Sequence, residues 1–368
     1  MSKLDELIAE LCPEGVEYKC LGKVCNVLRG KRLTKKELSE QYQYPVFHGG
    51  LIPLGKYKDY NRKANQTMVI NTGSVGEVVW SAVPFWSSDG TFTIETQGNI
   101  DNRFVYHFLK SQEPYLKSQK REGGVPTIDR DVIEKIQIPI PPLPIQQEIV
   151  RILDTFTELE AELEAELEER KKQYEYYRDK LLTFGDEVEF SNIGESCEIL
   201  DSQRKPVTKK DRSGGIYPYY GANGIQDYVD NFIFDGTYLL VGEDGSVIKE
   251  DNSPVLTWAK GKIWVNNHAH VLGEKQNVLL RFIYYYLQTI DVRSIVRGTP
   301  PKINQQKLRN IPIPIPPLSE QQRIVAILDR FDALCNDLTS GLPAEIEARR
   351  KQYEYYRDKL LTFREAKA

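Results

Sequence analysis

A chain of 368 residues with 28% charged and 40% hydrophobic residues has room for two or three domains with cores of their own, and its apolar runs fall short of the ~20 residues that span a bilayer. The five cysteines (Cys12, Cys20, Cys25, Cys197, Cys335) are odd in number and form no CxxC pair, which argues against a disulfide framework and against a zinc site. A net charge of −4 is unevenly spread, about +6 over 18–135 and about +2 over 190–312 against about −4 over each of 1–17 and 158–180, so basic blocks able to attract phosphate alternate with acidic connectors.

The opening MSKLDELIAELC has helical spacing and lacks both the basic start and the apolar stretch of a secretory signal, so a cytoplasmic chain with no membrane partner is expected. QTMVINTGSVGEVVW (66–80) reads as strands joined at a Gly turn, and RFVYHFLKSQEPYLKSQ (103–119) as helix. GSVG (73–76) and GEDG (242–245) fit such turns better than phosphate loops, because neither continues into GK[ST]. In IQIPIPPLP the prolines remove N–H donors and hold the backbone extended, ending the first domain before a long helix. Ile149, Ile152, Leu153, Phe156, Leu159, Leu163, Leu167, Tyr174, Tyr177 and Leu181 then recur every three or four residues, the stripe of an amphipathic helix.

The second half repeats the first. KQYEYYRDKLLTF stands at 172–184 and again, letter for letter, at 351–363; IPIPPLPIQQEIVRILDTF (138–156) returns as IPIPIPPLSEQQRIVAILDRF, ending at Phe331. GGVPTI (123–128) resembles GTPPKI (298–303), VEYKCLGKVC (16–25) resembles VEFSNIGESC (188–197), and YPVFHGG (44–50) resembles YPYYGAN (217–223). Between the repeats, GTYLLVGEDGSVIKE (236–250) reads as strands and LLRFIYYYLQTIDVRSIV (279–296) as helix. A second stripe runs through Ile324, Ile327, Leu328, Phe331, Leu334, Leu338, Ile346, Tyr353, Tyr356 and Leu360, with Gly341 and Pro343 of SGLPAEI expected to interrupt it. Two like helices with apolar stripes are each other's obvious partners, so an antiparallel pair is predicted.

This arrangement resembles the DNA-specificity subunit of type I restriction-modification systems. The likeness covers nearly the whole chain and rests on LCPEGVEYKCLG, on the twin PPLPIQQEIV and PPLSEQQRIV segments, on the twin KQYEYYRDKLL helices, and on two unlike modules between them. It implies an α+β protein with a pseudo-twofold internal repeat: two mixed, β-rich target-recognition domains separated by two long conserved helices packed as an antiparallel coiled coil. The expected divisions are a first recognition domain over 1–143, a central spacer helix over 144–185, a second recognition domain over 186–318 and a C-terminal spacer helix over 319–368. It further implies double-stranded DNA with a bipartite target as ligand, two modification (methyltransferase) subunits and two restriction subunits as partners, and a non-catalytic chain whose partners carry S-adenosylmethionine, ATP and Mg. Consistently, there is no (D/N)PP(Y/F) tetrapeptide and no well-spaced carboxylate pair with lysine.

Phosphate contact is expected from Arg29, Lys31, Arg32, Lys35 and Lys36 of RGKRLTKK, and from Arg204, Lys205, Lys209, Lys210 and Arg212 of QRKPVTKKDR, placed alike near the start of each module. His48, Asn61, Arg62 and Lys63, with Tyr220, Asn223 and Gln226, fall in polar loops and are candidate base or backbone contacts, although Asn and Gly also simply build turns. WSSDGT (86–91) and WVNNHAH (264–270) occupy similar places; His268 joins the DNA candidates, and His268 and His270 are expected on one strand face, with no third ligand to make a metal site. Gln146, Gln147, Tyr174 and Tyr177, with Gln321, Gln322, Tyr353 and Tyr356, mark the spacer helices and partner docking. The competing readings are a coiled-coil-spaced adaptor for protein or glycan partners, and a nuclease with an unfamiliar centre.

Overall fold

The structure, a computed structural model, describes residues 2–121, 126–212 and 214–366. Residues 123–125 of the GGVPTI motif lie outside them. The chain forms two compact units, Met1–Glu164 with Glu345–Ala368, and Ala165–Ala344.

In the first unit Cys25–Arg29, Thr91–Thr96, Gln66–Ile70 and Val78–Ser81 form a four-stranded antiparallel sheet in that order. Val27, Val69, Val78 and Ile94 of this sheet share a core with the helix Asn102–Ser111, which buries Phe104, Val105, Phe108 and Leu109 and starts where the Asp101 carboxylate accepts from the N–H groups of Arg103 and Phe104. A second sheet joins Gly55–Tyr57, Tyr44–Phe47 and Trp86–Ser87, the last pair running parallel. The GSVG turn fits against the hairpin that follows Tyr44–Phe47. Gly49 and Gly73 both have positive φ, and a Cβ on Gly73 would stand 2.3 Å from the Gly49 carbonyl oxygen, so only glycine allows that approach.

The second unit has a six-stranded sheet ordered Glu198–Ile199, Ala269–Gly273, Phe234–Gly242, Leu256–Val265, Tyr217–Gly221, Gly224–Val229. Leu280–Leu287 packs on it with Phe282, Ile283, Tyr285 and Leu287 buried. In each unit the proline-rich bridge is a strand against the module's first strand: Gln137–Ile140 with Glu17–Cys20, and Pro312–Pro314 with Phe190–Asn192. Helix follows at Leu143 and at Leu318.

The central helix runs unbroken over Leu143–Leu181, 39 residues and ~58 Å at 1.5 Å per residue. The second copy is split into Leu318–Asn336 and Leu342–Leu360. Gly341 allows the break, since a Cβ there would lie 2.5 Å from the Ala333 carbonyl oxygen. Leu338, expected in the buried stripe, falls in that break and is exposed. Within the first unit Phe156 stacks on Tyr356 at 5.3 Å, and Arg350 bridges Glu160 and Glu164, so the helices run antiparallel. Within the second unit Tyr177 stacks on Phe331 at 5.6 Å. The stripes are deepest at their module ends, where Ile149, Leu153, Ile324 and Leu328 are fully buried, whereas Leu159 is exposed.

Candidate nucleic-acid interface

Two basic segments, far apart in the chain, are built the same way. The Trp86 indole N–H donates to the Lys31 carbonyl at 2.7 Å, and the Lys31 N–H to the Ser87 carbonyl at 2.9 Å. In the other unit the Trp264 indole N–H donates to the Lys205 carbonyl at 2.6 Å, and the Lys205 N–H to the Val265 carbonyl at 3.2 Å. The tryptophan strand also pairs parallel with the Tyr-Pro strand, Val46 opposite Trp86 and Tyr219 opposite Trp264. Each unit therefore presents one strip in a fixed lateral order: Tyr-Pro hairpin, tryptophan strand, basic segment.

Along this strip Arg29, Lys31, Arg32, Lys35, Lys36 and Lys63 are exposed in the first unit, as are Lys205, Lys209, Lys210, Asn223, Gln226 and His268 in the second. Thr34 and Glu37 cap the turn that carries Lys35 and Lys36. Burial and bonding withdraw other candidates. Asn61 spends both ends of its amide on the Ser87 backbone, at 2.9 and 2.7 Å, so it holds a strand and has no free edge for a base. Arg62 donates to the carbonyls of Asn61 and Arg29; burial pushes its guanidinium pKa down, and its Nε is a buried donor without a partner among the described residues. His48 is half-buried, with Nδ1 3.1 Å from Ser88 Oγ. Tyr220 is buried and Arg212 lies over the Tyr219 ring, whereas Gln226 stays exposed although its Oε1 accepts from Asn266.

Arg204 is likewise committed inward. Asp201, Glu243 and His270 bring potential metal-ligand atoms within 4.8 Å of one another, but those atoms are already used. Arg204 reaches Glu243 at 2.6 Å and Asp201 at 3.4 Å, and Lys302 reaches Glu243 at 3.0 Å. His270 sets Nδ1 2.6 Å from Asp201 and Nε2 2.8 Å from the Ile303 carbonyl. Burial raises the Asp201 pKa, yet His270, the Val271 N–H and Gln305 more than offset it and hold the carboxyl below its ordinary range. The cluster is an ion-pair network that fixes the start of the basic segment. His268 does not share a face with His270: it lies in the turn before the strand, exposed and paired with Asp244.

A second duplicated constellation ties each module to its helix, and the sequence reading missed it. Arg103 lies 4.9 Å from the Trp80 ring centroid and 4.6 Å from that of Tyr106, with Nε 2.7 Å from Asp154 on the central helix. His107 Nε2 shares that carboxylate at 2.7 Å, and Nδ1 stands 3.0 Å from the Tyr353 hydroxyl. In the other unit Arg281 lies over Trp258 and Tyr284, with Nε 2.7 Å from Asp329, which also accepts from the Tyr285 hydroxyl. Trp80, Arg103 and Tyr106 precede Trp258, Arg281 and Tyr284 by one constant offset, a signal legible in the halves once aligned.

The helix candidates divide in the same way. Gln146 Oε1 accepts from the Asp101 N–H at 2.8 Å, while Nε2 donates to the Asn99 and Pro141 carbonyls. Gln321 repeats this with Leu279, Asn277 and Pro316. Both are fully buried and offer a partner nothing; Gln147 and Gln322 beside them are exposed. Tyr174 and Tyr353 are buried under their modules, Tyr177 and Tyr356 half-open, and Tyr176 and Tyr355 are the more exposed matched pair.

The family model described as the type I restriction modification DNA specificity domain matches residues 13–169 and 185–348. The chain is 32% identical over 407 residues to the specificity subunit of the type I restriction enzyme EcoR124I/EcoR124II of Escherichia coli, covering 99% of this chain and 98% of that one. It is 45% identical over 194 residues to a Haemophilus influenzae chain described as a type I restriction enzyme specificity subunit, where the match covers 51% of this chain and 50% of that one. Among solved structures, the S subunit of a type I restriction-modification system from M. genitalium shares the fold, with TM-score 0.67 at 18% identity over 94% of this chain and 96% of that one. Matched twice by the family model and aligned almost end to end with a full-length relative, the chain belongs to the type I restriction-modification DNA specificity family.

Proposed function

We propose that the chain is the DNA specificity subunit of a type I restriction-modification complex, each module reading one half of a bipartite duplex target. The observation that carries this reading is the repeated strip: two modules of unlike sequence hold a basic segment beside a β-hairpin through the same tryptophan-to-carbonyl hydrogen bond. Exposed lysine and arginine supply the sequence-independent hold on phosphate, and the hairpin turns supply the groups that differ between half-sites.

The helices carry the opposite kind of information. Their outward faces repeat Gln147 as Gln322, Tyr176 as Tyr355 and Tyr177 as Tyr356, which suits two copies of one partner. In this reading those partners are two modification subunits, with two restriction subunits completing the assembly. S-adenosylmethionine, ATP and Mg belong to the partners, and the chain contributes position and no chemistry. The recognition domains are then 1–143 and 186–318, with 144–185 and 319–368 as spacer helices that set the distance between half-sites.

The test is genome-wide mapping of methylated adenines in cells with and without this chain. A bipartite motif that vanishes with the chain is expected; methylation unchanged by its loss overturns the reading. The purified chain by itself should neither methylate nor cut DNA.

A further inference from the structure

Each unit carries a hairpin that begins at a Tyr-Pro pair: Tyr44–Phe47 returning through Gly55–Tyr57, and Tyr217–Gly221 returning through Gly224–Val229. Counted from those pairs, Ile52 and Ile225 hold the same position. Ile52 is 80% exposed and Ile225 49%. Ile52 stands in the loop before its return strand, where Gly, Asn, Asp or Ser are favoured because their conformations or side chains build the turn, and Ile225 is the second residue of its return strand at the sheet's edge, opposite Tyr220. At either place the isoleucine leaves apolar surface in water. One such residue would need no explanation. The same residue at the same count from the Tyr-Pro pair, beside two unlike hairpin tips, does need one.

The lateral order of the strip indicates what covers these side chains. The hairpin is bonded to the tryptophan strand, and that strand to Lys31 or Lys205. A duplex whose phosphates lie on the basic segment therefore has the neighbouring hairpin at its groove. A two-stranded ribbon fits the major groove, where the thymine methyl is the apolar group on the base edges. Asn223, exposed in the turn just before Ile225's strand, leaves a hydrogen-bonding group beside the apolar one.

We propose that Ile52 and Ile225 are specificity-determining residues, each packing on a thymine methyl in the half-site its module reads. The inference rests on the DNA-reading function proposed above. An adenine-methylated half-site contains at least one A·T pair, so the methyl group is available.

The test uses the full chain assembled with its modification subunits and synthetic duplexes of the mapped motif in which thymines are replaced one at a time by deoxyuridine. For the unaltered chain, one replacement in each half-site should weaken binding about 4-fold, the contribution of one buried methyl. Ile52→Ala should abolish that sensitivity in one half-site only, and Ile225→Ala in the other, with the thermal midpoint unchanged for Ile52, which is 80% exposed in a loop, and only slightly lowered for Ile225, which is half exposed on its strand. The proposal is overturned if no thymine shows sensitivity, if the variants retain it, or if the variants bind DNA normally but fail to assemble with modification subunits, which would make these residues protein contacts. Absence of any bipartite motif with the unaltered complex would instead overturn the parent reading.

Discussion

Gln146 holds two carbonyls and one N–H of the backbone where the module meets its helix, and the Gln147 side chain, one residue on, is exposed and holds no partner among the described residues. Replacing Gln146 with leucine keeps the volume and leaves three backbone groups without this partner, the Pro141 carbonyl among them buried, so a loss of ~1–3 kcal/mol is expected by urea unfolding. Gln147→Ala should stay within about 0.5 kcal/mol. The sequence marks both residues equally, since the repeat preserves QQ in both copies, and only burial separates a clamp from a surface. Asn61 illustrates the same limit: an amide able to read adenine can equally pair with a strand's own N–H and C=O, and here it does. His107 titrates in the opposite environment. Burial pushes its pKa below the ordinary 6.5, outweighing Asp154, while Arg103 and Arg357 add to the depression and Tyr353 and Tyr106 complete its surroundings. The unfolded state thus takes up a proton near 6.5 that the folded state refuses, so the stabilisation is full above that value and is lost as pH falls below it. The first unit's thermal midpoint should fall between about pH 7 and 5.5, and His107→Gln should flatten that slope.

At the scale of elements, the helices and bridges were readable because their signals are periodic: apolar spacing, proline runs and a repeat of thirteen letters. The sheets were readable as strand content only, since pairing order depends on contacts far apart in the chain. The parallel pairing of Tyr44–Phe47 with Trp86–Ser87 has no local signature. The acidic stretch TELEAELEAELEER gives the helix a length that can be edited. Removing one AELE unit, residues 161–164, shortens an α-helix by ~6 Å and turns it by about 40° net, close to the ~35° of one base pair. The mapped spacer between half-sites should shrink by one base pair, and an unchanged spacer would refute the helix as a ruler. Arg350, which now bridges Glu160 and Glu164, should find a new carboxylate in the same reiteration.

For the whole molecule, chain order and spatial order are interleaved. The first unit's core contains Tyr353 and Leu361, with Leu360 and Phe363 packed against it, and the Val16 N–H donates to the Arg364 carbonyl at 2.9 Å. Ending the chain after Gly341 should therefore weaken amide-exchange protection over residues 16–140 and leave 190–335 protected, because the second unit takes its helices from Ala165–Ala344. The same interleaving bears on synthesis at the ribosome. The first module emerges early but waits about 180 residues for the helix that closes it, a delay on the order of 10–40 s at bacterial translation speeds. Throughout that interval the His107 imidazole lacks the Tyr353 hydroxyl and the Tyr18 hydroxyl lacks the Phe363 carbonyl. The nascent polypeptide is then a natural client for chaperones, and a gene truncated near its 3′ end would yield a product that aggregates through its oldest part.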